Sequence, residues 1–238
     1  MNQTPVASGL VTREPLTHEP LMNALATYRR LWLAEISDLP SALRHKSYDP
    51  VEERKIVTKF DAFVAATPRC FERSHASGHI TGSAIVVSED FKEVLLTLHA
   101  KLGMWLQLGG HADGHHLVHE VAATEVQEES GLTDFKFFDW TPAGVKTGPE
   151  TGASRALTPA FPVPFDLDAH WIPPNPRDPG HWHYDVRYVV VAPRDQKIAI
   201  TDESHDLKWF TLDAARKVTA ERSMHRQFDK VERFGALR

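Results

Sequence analysis

The chain contains one cysteine, Cys70, so no disulfide can form within it. A cross-linked scaffold is excluded, and a reducing, cytoplasmic setting is the expectation. No uninterrupted apolar run approaches the roughly 18 residues that span a bilayer, so no membrane partner is expected. The opening MNQTPVASGLVTREP lacks the basic start and apolar core of a secretory signal. An excess of basic charge is also missing. Lys and Arg number 27 against 32 Asp and Glu, a net charge of −5. Sequence-blind binding to phosphate backbones depends on basic surface, so nucleic acid is not an expected partner. What is there is an ordinary globular composition, 42% hydrophobic and 25% charged, in 238 residues. That length holds one large domain, or a smaller one with an extension. Histidine stands out at 14, with five between His99 and His119, so these must be weighed as ligands.

The chain divides at about residue 73. Before it, Leu21, Leu25, Tyr28 and Trp32 recur at helical spacing. Asp49 and Pro50 then read as cap and first position of a second helix, which Thr67-Pro68 ends. Residues 1–73 are therefore an arm and a helical hairpin, and 74–238 the main domain. In the main domain, 82–87 and 93–98 read as a strand hairpin and 105–108 as a short strand ending at Gly109-Gly110. A helix over about 117–130 stops at Gly131. Strand signals follow at 135–140, 160–165, 184–192 and 207–210, then helices carrying Leu212, Ala215 and Val218, and Met224, Phe228 and Val231. This irregular alternation predicts an α+β or mixed α/β fold.

The chemistry concentrates in the helix before Gly131. Glu125, Glu128 and Glu129 stand at i, i+3, i+4, on one face. A run of Glu is most often a solvated surface. Here an opposing apolar face (Val121, Ala122, Val126) anchors the helix. The acids also sit in its C-terminal half, where the helix dipole disfavours anions. A glycine pair leads in from a strand, letting backbone approach a ligand closely. Clustered carboxylates with room for water suit Mg²⁺ or Mn²⁺, usually shared with substrate phosphates.

The run Gly110-x5-His116-x7-Thr124-Glu125-Val126-x-Glu128-Glu129-x-Gly131-Leu132 resembles the Nudix box, G-x5-E-x7-R-E-U-x-E-E-x-G-U, at seven of nine fixed positions with unbroken spacing. The two departures are His116 for the first Glu and Thr124 for the Arg, residues that brace the loop and helix in the family. The resemblance covers about residues 76–222. It implies an α/β/α sandwich with a mixed sheet, extended here by the N-terminal helical hairpin. It also implies hydrolysis of a nucleoside diphosphate linked to X, of ADP-ribose or nucleotide-sugar type, with a small-molecule nucleotide as partner. By the same resemblance Glu125 and Glu129 would be direct metal ligands, Glu128 a ligand directly or through water, and the Gly109 carbonyl a further oxygen. The lost brace leaves open a catalytically weak, nucleotide-sensing module. RNA 5′-end pyrophosphohydrolysis is a second alternative. Some members of the family dimerise, and the hairpin is the segment that would serve a homodimer.

Members of the family often take their general base from a loop outside the box. Asp202-Glu203-Ser204-His205-Asp206 offers Glu203 first and His205 second; Glu128 is the fallback within the box. His181, His183, Asp185 and Arg187 alternate along a strand and share one face. A substrate-contacting face of Arg187, His183 and Asp185 is the leading reading, with a transition-metal site or a structural role as the alternatives. If Glu203 accepts the proton from the attacking water, Glu203→Gln should lower kcat by about two to four orders of magnitude with little change in KM. His205→Asn should be mild. The reverse ranking in steady-state kinetics would assign the role to His205.

Overall fold

The computed structural model describes residues 18–33, 44–142, 161–176, 178–201 and 204–237. Two helices come first, α1 (Glu19–Trp32) and α2 (Pro50–Ala66). The Asp49 side chain caps α2, accepting from the Val51 and Glu52 N–H groups. A short 3-10 turn, Pro68–Phe71, leads into the sheet. The strands are β1 (Gly78–Ser88), β2 (Glu93–His99), β3 (Trp105–Leu106), β4 (Leu108–His111), β5 (Lys136–Phe137), β6 (Asp166–Ile172), β7 (His181–Ala192) and β8 (Ser204–Thr211). Helix α3 (Val118–Ser130) follows β4, and α4 (Leu212–Val218) and α5 (Arg222–Gly235) close the chain.

The eight strands form one mixed sheet around β1. Strand β7 runs parallel to β1 along its whole length, from Gly78 opposite Trp182 to Ser88 opposite Ala192. The other edge of β1 is shared by two antiparallel partners, β4 against Thr81–Ala84 and β2 against Val86 and Val87. Beyond β7 lie β6 and β5, both antiparallel to it, and beyond β2 lies β8. The mixed α/β reading from the sequence holds, with two adjustments. The strand expected at 160–165 begins instead at Asp166, where pairing with β7 supplies backbone partners. The glycine pair Gly109-Gly110 lies inside β4 instead of ending a strand, because Ser83 and Gly82 of β1 pair with it.

Strand alternation gives β1 two different faces. Ile80, Gly82 and Ala84 face α3, and Gly82 is needed there because a Cβ would meet the Val118 carbonyl oxygen at 2.8 Å. The opposite face carries His79, Thr81 and Ser83, in register with His183, Asp185 and Arg187 of β7. Helix α5 lies on this side, with Arg226 and Lys230 bonded to Asp166 and Gln227 to Gln107, so helices lie on both sides of the sheet, as the resemblance implies.

The polar face is buried, and ion pairing makes that tolerable. Asp166 is fully buried and accepts from Lys230 Nζ at 2.7 Å and from Arg226 at 2.8 and 2.7 Å, both on α5. Arg187 reaches Asp185 at 2.7 Å, Asp168 at 3.2 Å and Asp166 at 3.4 Å. Lys230 also donates to the Tyr28 hydroxyl of α1, which itself donates to Glu53 of α2 at 2.9 Å. One charge network therefore ties α1, α2, β6, β7 and α5 together. Phe63 of α2 stacks on Tyr184 of β7 at 3.9 Å and completes the attachment of the hairpin.

Burial alone would raise the carboxyl pKa values of Asp166 and Asp168. For Asp166 the cations of Arg226 and Lys230 prevail and hold it well below the usual range. For Asp168 the charge of Arg187 and a hydrogen bond with His170 bring it to about 2. A folded-state pKa below the unfolded one contributes stability at neutral pH that disappears as pH falls. Acid unfolding should therefore develop from about pH 4 downwards, followed by circular dichroism. Asp166→Asn should lower unfolding free energy at neutral pH by about 3–5 kcal/mol in urea titration, because it leaves buried cations short of a partner.

Candidate active site and metal centre

Helix α3 is anchored by Val118, Val121, Ala122 and Val126, all buried against β1 and β4. Gly131 ends it at φ 72° in the left-handed region, its N–H bonded to the Gln127 carbonyl. That anchoring aims the acidic face at the β4 edge. Glu129 is 8% exposed and accepts from the Gly109 N–H at 3.1 Å. Glu125 lies against Gly110 so closely that a Cβ there would stand 2.0 Å from Oε1. Glu128 is exposed beside them.

The ladder explains why Gly109 serves this edge. Gly110 opposes Gly82, and the Ala112 N–H bonds the Ile80 carbonyl, so the even-numbered residues of this segment face β1. In an antiparallel ladder the alternate residues turn both N–H and C=O the other way. Gly109 is one of these. Its N–H holds Glu129, and its carbonyl points to the same side. Four of the residues picked out in the sequence, Gly109, Glu125, Glu128 and Glu129, are thus neighbours at one helix–strand junction. Glu125 lies against Gly110, and Glu129 is bonded to the Gly109 N–H. Of the two departures from the box, Thr124 is exposed, and His116 lines a cleft with Pro20 and Leu21 of α1.

The residues expected to contact substrate sit elsewhere, on the polar face. Asp185 is 5% exposed and accepts from Thr81 and Ser83 at 2.9 Å, Gln107 at 3.1 Å and Arg187. Arg187 is 4% exposed, and each of its three nitrogens faces a carboxylate. Arg187, expected to lead a substrate-contacting face, is in this structure engaged by three internal carboxylates. His183 is half-buried amid His79, His111, His170 and His181, with ring centroids 4.7–5.4 Å away. Burial, then the neighbouring imidazoles, pushes His183 down to about 2 and His79 to about 4, so both are neutral at physiological pH.

Among the described residues, one group of three ligand-type side chains has its donor atoms within 4.8 Å of one another: His79, His181 and His183. The sequence shows two of these at alternate positions. His79 was not legible as their partner, because it joins them through the register of β1 on β7, about a hundred residues apart. Glu203 and Asp202 lie outside the described residues, and His205 is exposed at the start of β8.

Neither a family model nor a curated protein matches the sequence. Among solved structures the chain is similar to a Nudix-family hydrolase from Clostridium perfringens, with 23% identity, TM-score 0.48, and coverage of 67% of this chain and 98% of that one. It is also similar to the Ap4A hydrolase of C. elegans, at 13% identity and TM-score 0.45, covering 66% and 96%. A third is the dihydroneopterin triphosphate pyrophosphohydrolase of E. coli, at 15% and 0.45, covering 67% and 96%.

The two glycines of β4 should respond differently to a methyl group. In Gly109→Ala the new Cβ meets Ser83 Cβ at 2.3 Å and the Gly82 carbonyl at 2.9 Å, parts of β1 that cannot swing aside. A loss of about 1–3 kcal/mol is expected in denaturant titration. In Gly110→Ala the obstacle is the tip of Glu125, a flexible side chain. The melting temperature should change little while Glu125 is displaced.

Proposed function

We propose that the chain is a divalent-metal-dependent pyrophosphohydrolase of the Nudix type, acting on a nucleoside diphosphate linked to X, of ADP-ribose or nucleotide-sugar type. The observation that carries this reading is the seating of Glu125 and Glu129 on the Gly109-Gly110 backbone, with Glu128 exposed beside them. Those are the positions at which the sequence keeps the box. Hard oxygen donors, a strand carbonyl and an open flank for water suit Mg²⁺ or Mn²⁺ and a phosphate-bearing ligand. A cation there would neutralise pyrophosphate oxygens and acidify a water. The chain's own part is positional. Anchored α3 holds two carboxylates in place, Gly109 orients Glu129, and Glu128 or Glu203 stands as proton acceptor. In this reading Arg187 and Asp185 hold the substrate-side strands in register, and His183 is the member of that trio with exposed surface. In the same reading the hydrolase domain is 74–238, and helices α1 and α2 of the N-terminal part, residues 1–73, brace it through Tyr28, Glu53 and Phe63.

The loss of the family brace at His116 and Thr124 supports a second reading, a nucleotide-binding module without turnover. One variant separates the two. Glu129→Gln keeps volume and an oxygen that can accept from Gly109, but removes the charge. Divalent-dependent release of nucleoside monophosphate from ADP-ribose-type substrates should be abolished, with the melting temperature unchanged. Wild-type protein that binds such nucleotides in calorimetry yet releases no product with Mg²⁺ or Mn²⁺ would favour the module.

A further inference from the structure

The polar face of the sheet holds a second cluster of donors that the glutamate site does not use. His79 is 1% exposed, and neither of its ring nitrogens has a hydrogen-bond partner. An unpaired buried polar atom costs about 1–3 kcal/mol, so two on one ring call for a ligand. The ring faces His181 and His183, with centroids at 4.9 and 4.7 Å.

The neighbours are oriented as metal ligands are. His181 Nδ1 lies 2.8 Å from the Pro179 carbonyl, which can only accept. Nδ1 therefore carries the proton, and Nε2 presents a lone pair. His183 Nε2 lies 3.2 Å from that Nε2. Two nitrogens bound at 2.0–2.1 Å in a tetrahedron stand about 3.3 Å apart. The pair already has ligand spacing, and the donor atoms of all three histidines lie within 4.8 Å. His111 is excluded from the set because Arg73 donates to its Nδ1 at 2.6 Å, leaving the proton on Nε2. His170, 5.4 Å from His183 by ring centroid and oriented by Asp168 at 3.0 Å, stands at the open side.

We propose that His79, His181 and His183 form a binding site for a borderline transition-metal cation of the Zn²⁺ class, separate from the glutamate site on α3. Three imidazoles without a carboxylate select Zn²⁺, Co²⁺ or Ni²⁺ over Mg²⁺. His181 and His183 are only half-buried, so an ion can reach the site from solvent. The ion would tie β1 to β7 beside the buried charge network. The proposal rests on none of the box residues.

Co²⁺ is the probe, because tetrahedral coordination gives it an intense visible absorption. Full-length protein stripped with a chelator should take up one Co²⁺ per chain with that spectrum, and Zn²⁺ should displace it. Added Zn²⁺ should also raise the melting temperature. His79→Gln alters the core and can lower stability by itself. The half-buried His181→Gln and His183→Gln therefore carry the test. Each should weaken Co²⁺ binding by at least about 100-fold while keeping the wild-type circular dichroism, and Glu129→Gln should leave it unchanged. Absence of the tetrahedral spectrum, its persistence in both histidine variants, or its loss in Glu129→Gln would overturn the proposal.

Discussion

Asp166 is the fixed point of this molecule. A fully buried carboxylate survives only with its charge answered, and three cations from two elements answer it: Lys230 and Arg226 of α5, and Arg187 of β7. Removing any one of them leaves buried carboxylate charge short of a partner in a medium that solvates charge poorly. The placement of α5 on the sheet, the pairing of β6 with β7, and the docking of α1 through Tyr28 all depend on that neutrality. Arg187 passes the constraint on to Asp185, whose oxygens then hold Thr81 and Ser83 of β1. Asp168 carries it to His170.

The two faces of β1 divide the chemistry. On the α3 side the residues are apolar or glycine, so a helix packs close and its carboxylates reach the edge of β4. On the α5 side His79, Thr81 and Ser83 are polar, and the network and the histidine cluster lie there in register with β7. Hard carboxylate oxygens and borderline imidazole nitrogens thus lie on opposite faces of one sheet. Gly109 sits between the two regions. Its backbone meets Glu129, and two residues further on His111 borders the histidines.

Much of the fold was legible because it rests on local rules. Helix α2 declares itself through Asp49 and Pro50, α3 through its apolar stripe and Gly131, and β1 and β2 through a hairpin of apolar runs. The start of β6 was not legible. Pro162 and Pro164 supply no N–H to a ladder, and pairing with β7 begins only at Asp166. The glycine pair was misplaced at the end of a strand for a similar reason. Glycine is a weak strand former locally, and only the closeness of Ser83 and Glu125 demands it inside one.

By itself the sequence determined the acidic face of α3. Spacing of three and four residues is fixed by helical geometry, so Glu125, Glu128 and Glu129 had to lie together wherever the helix was placed. The alternation of His181, His183, Asp185 and Arg187 was fixed in the same way by the strand period. Tertiary structure alone decided what those faces meet. It buried Arg187 among three carboxylates and brought His79 from across the chain against His181 and His183. Periodicity says which side chains share a face. Register between strands far apart in sequence is set by the packing of the whole core, and no short stretch of sequence contains it.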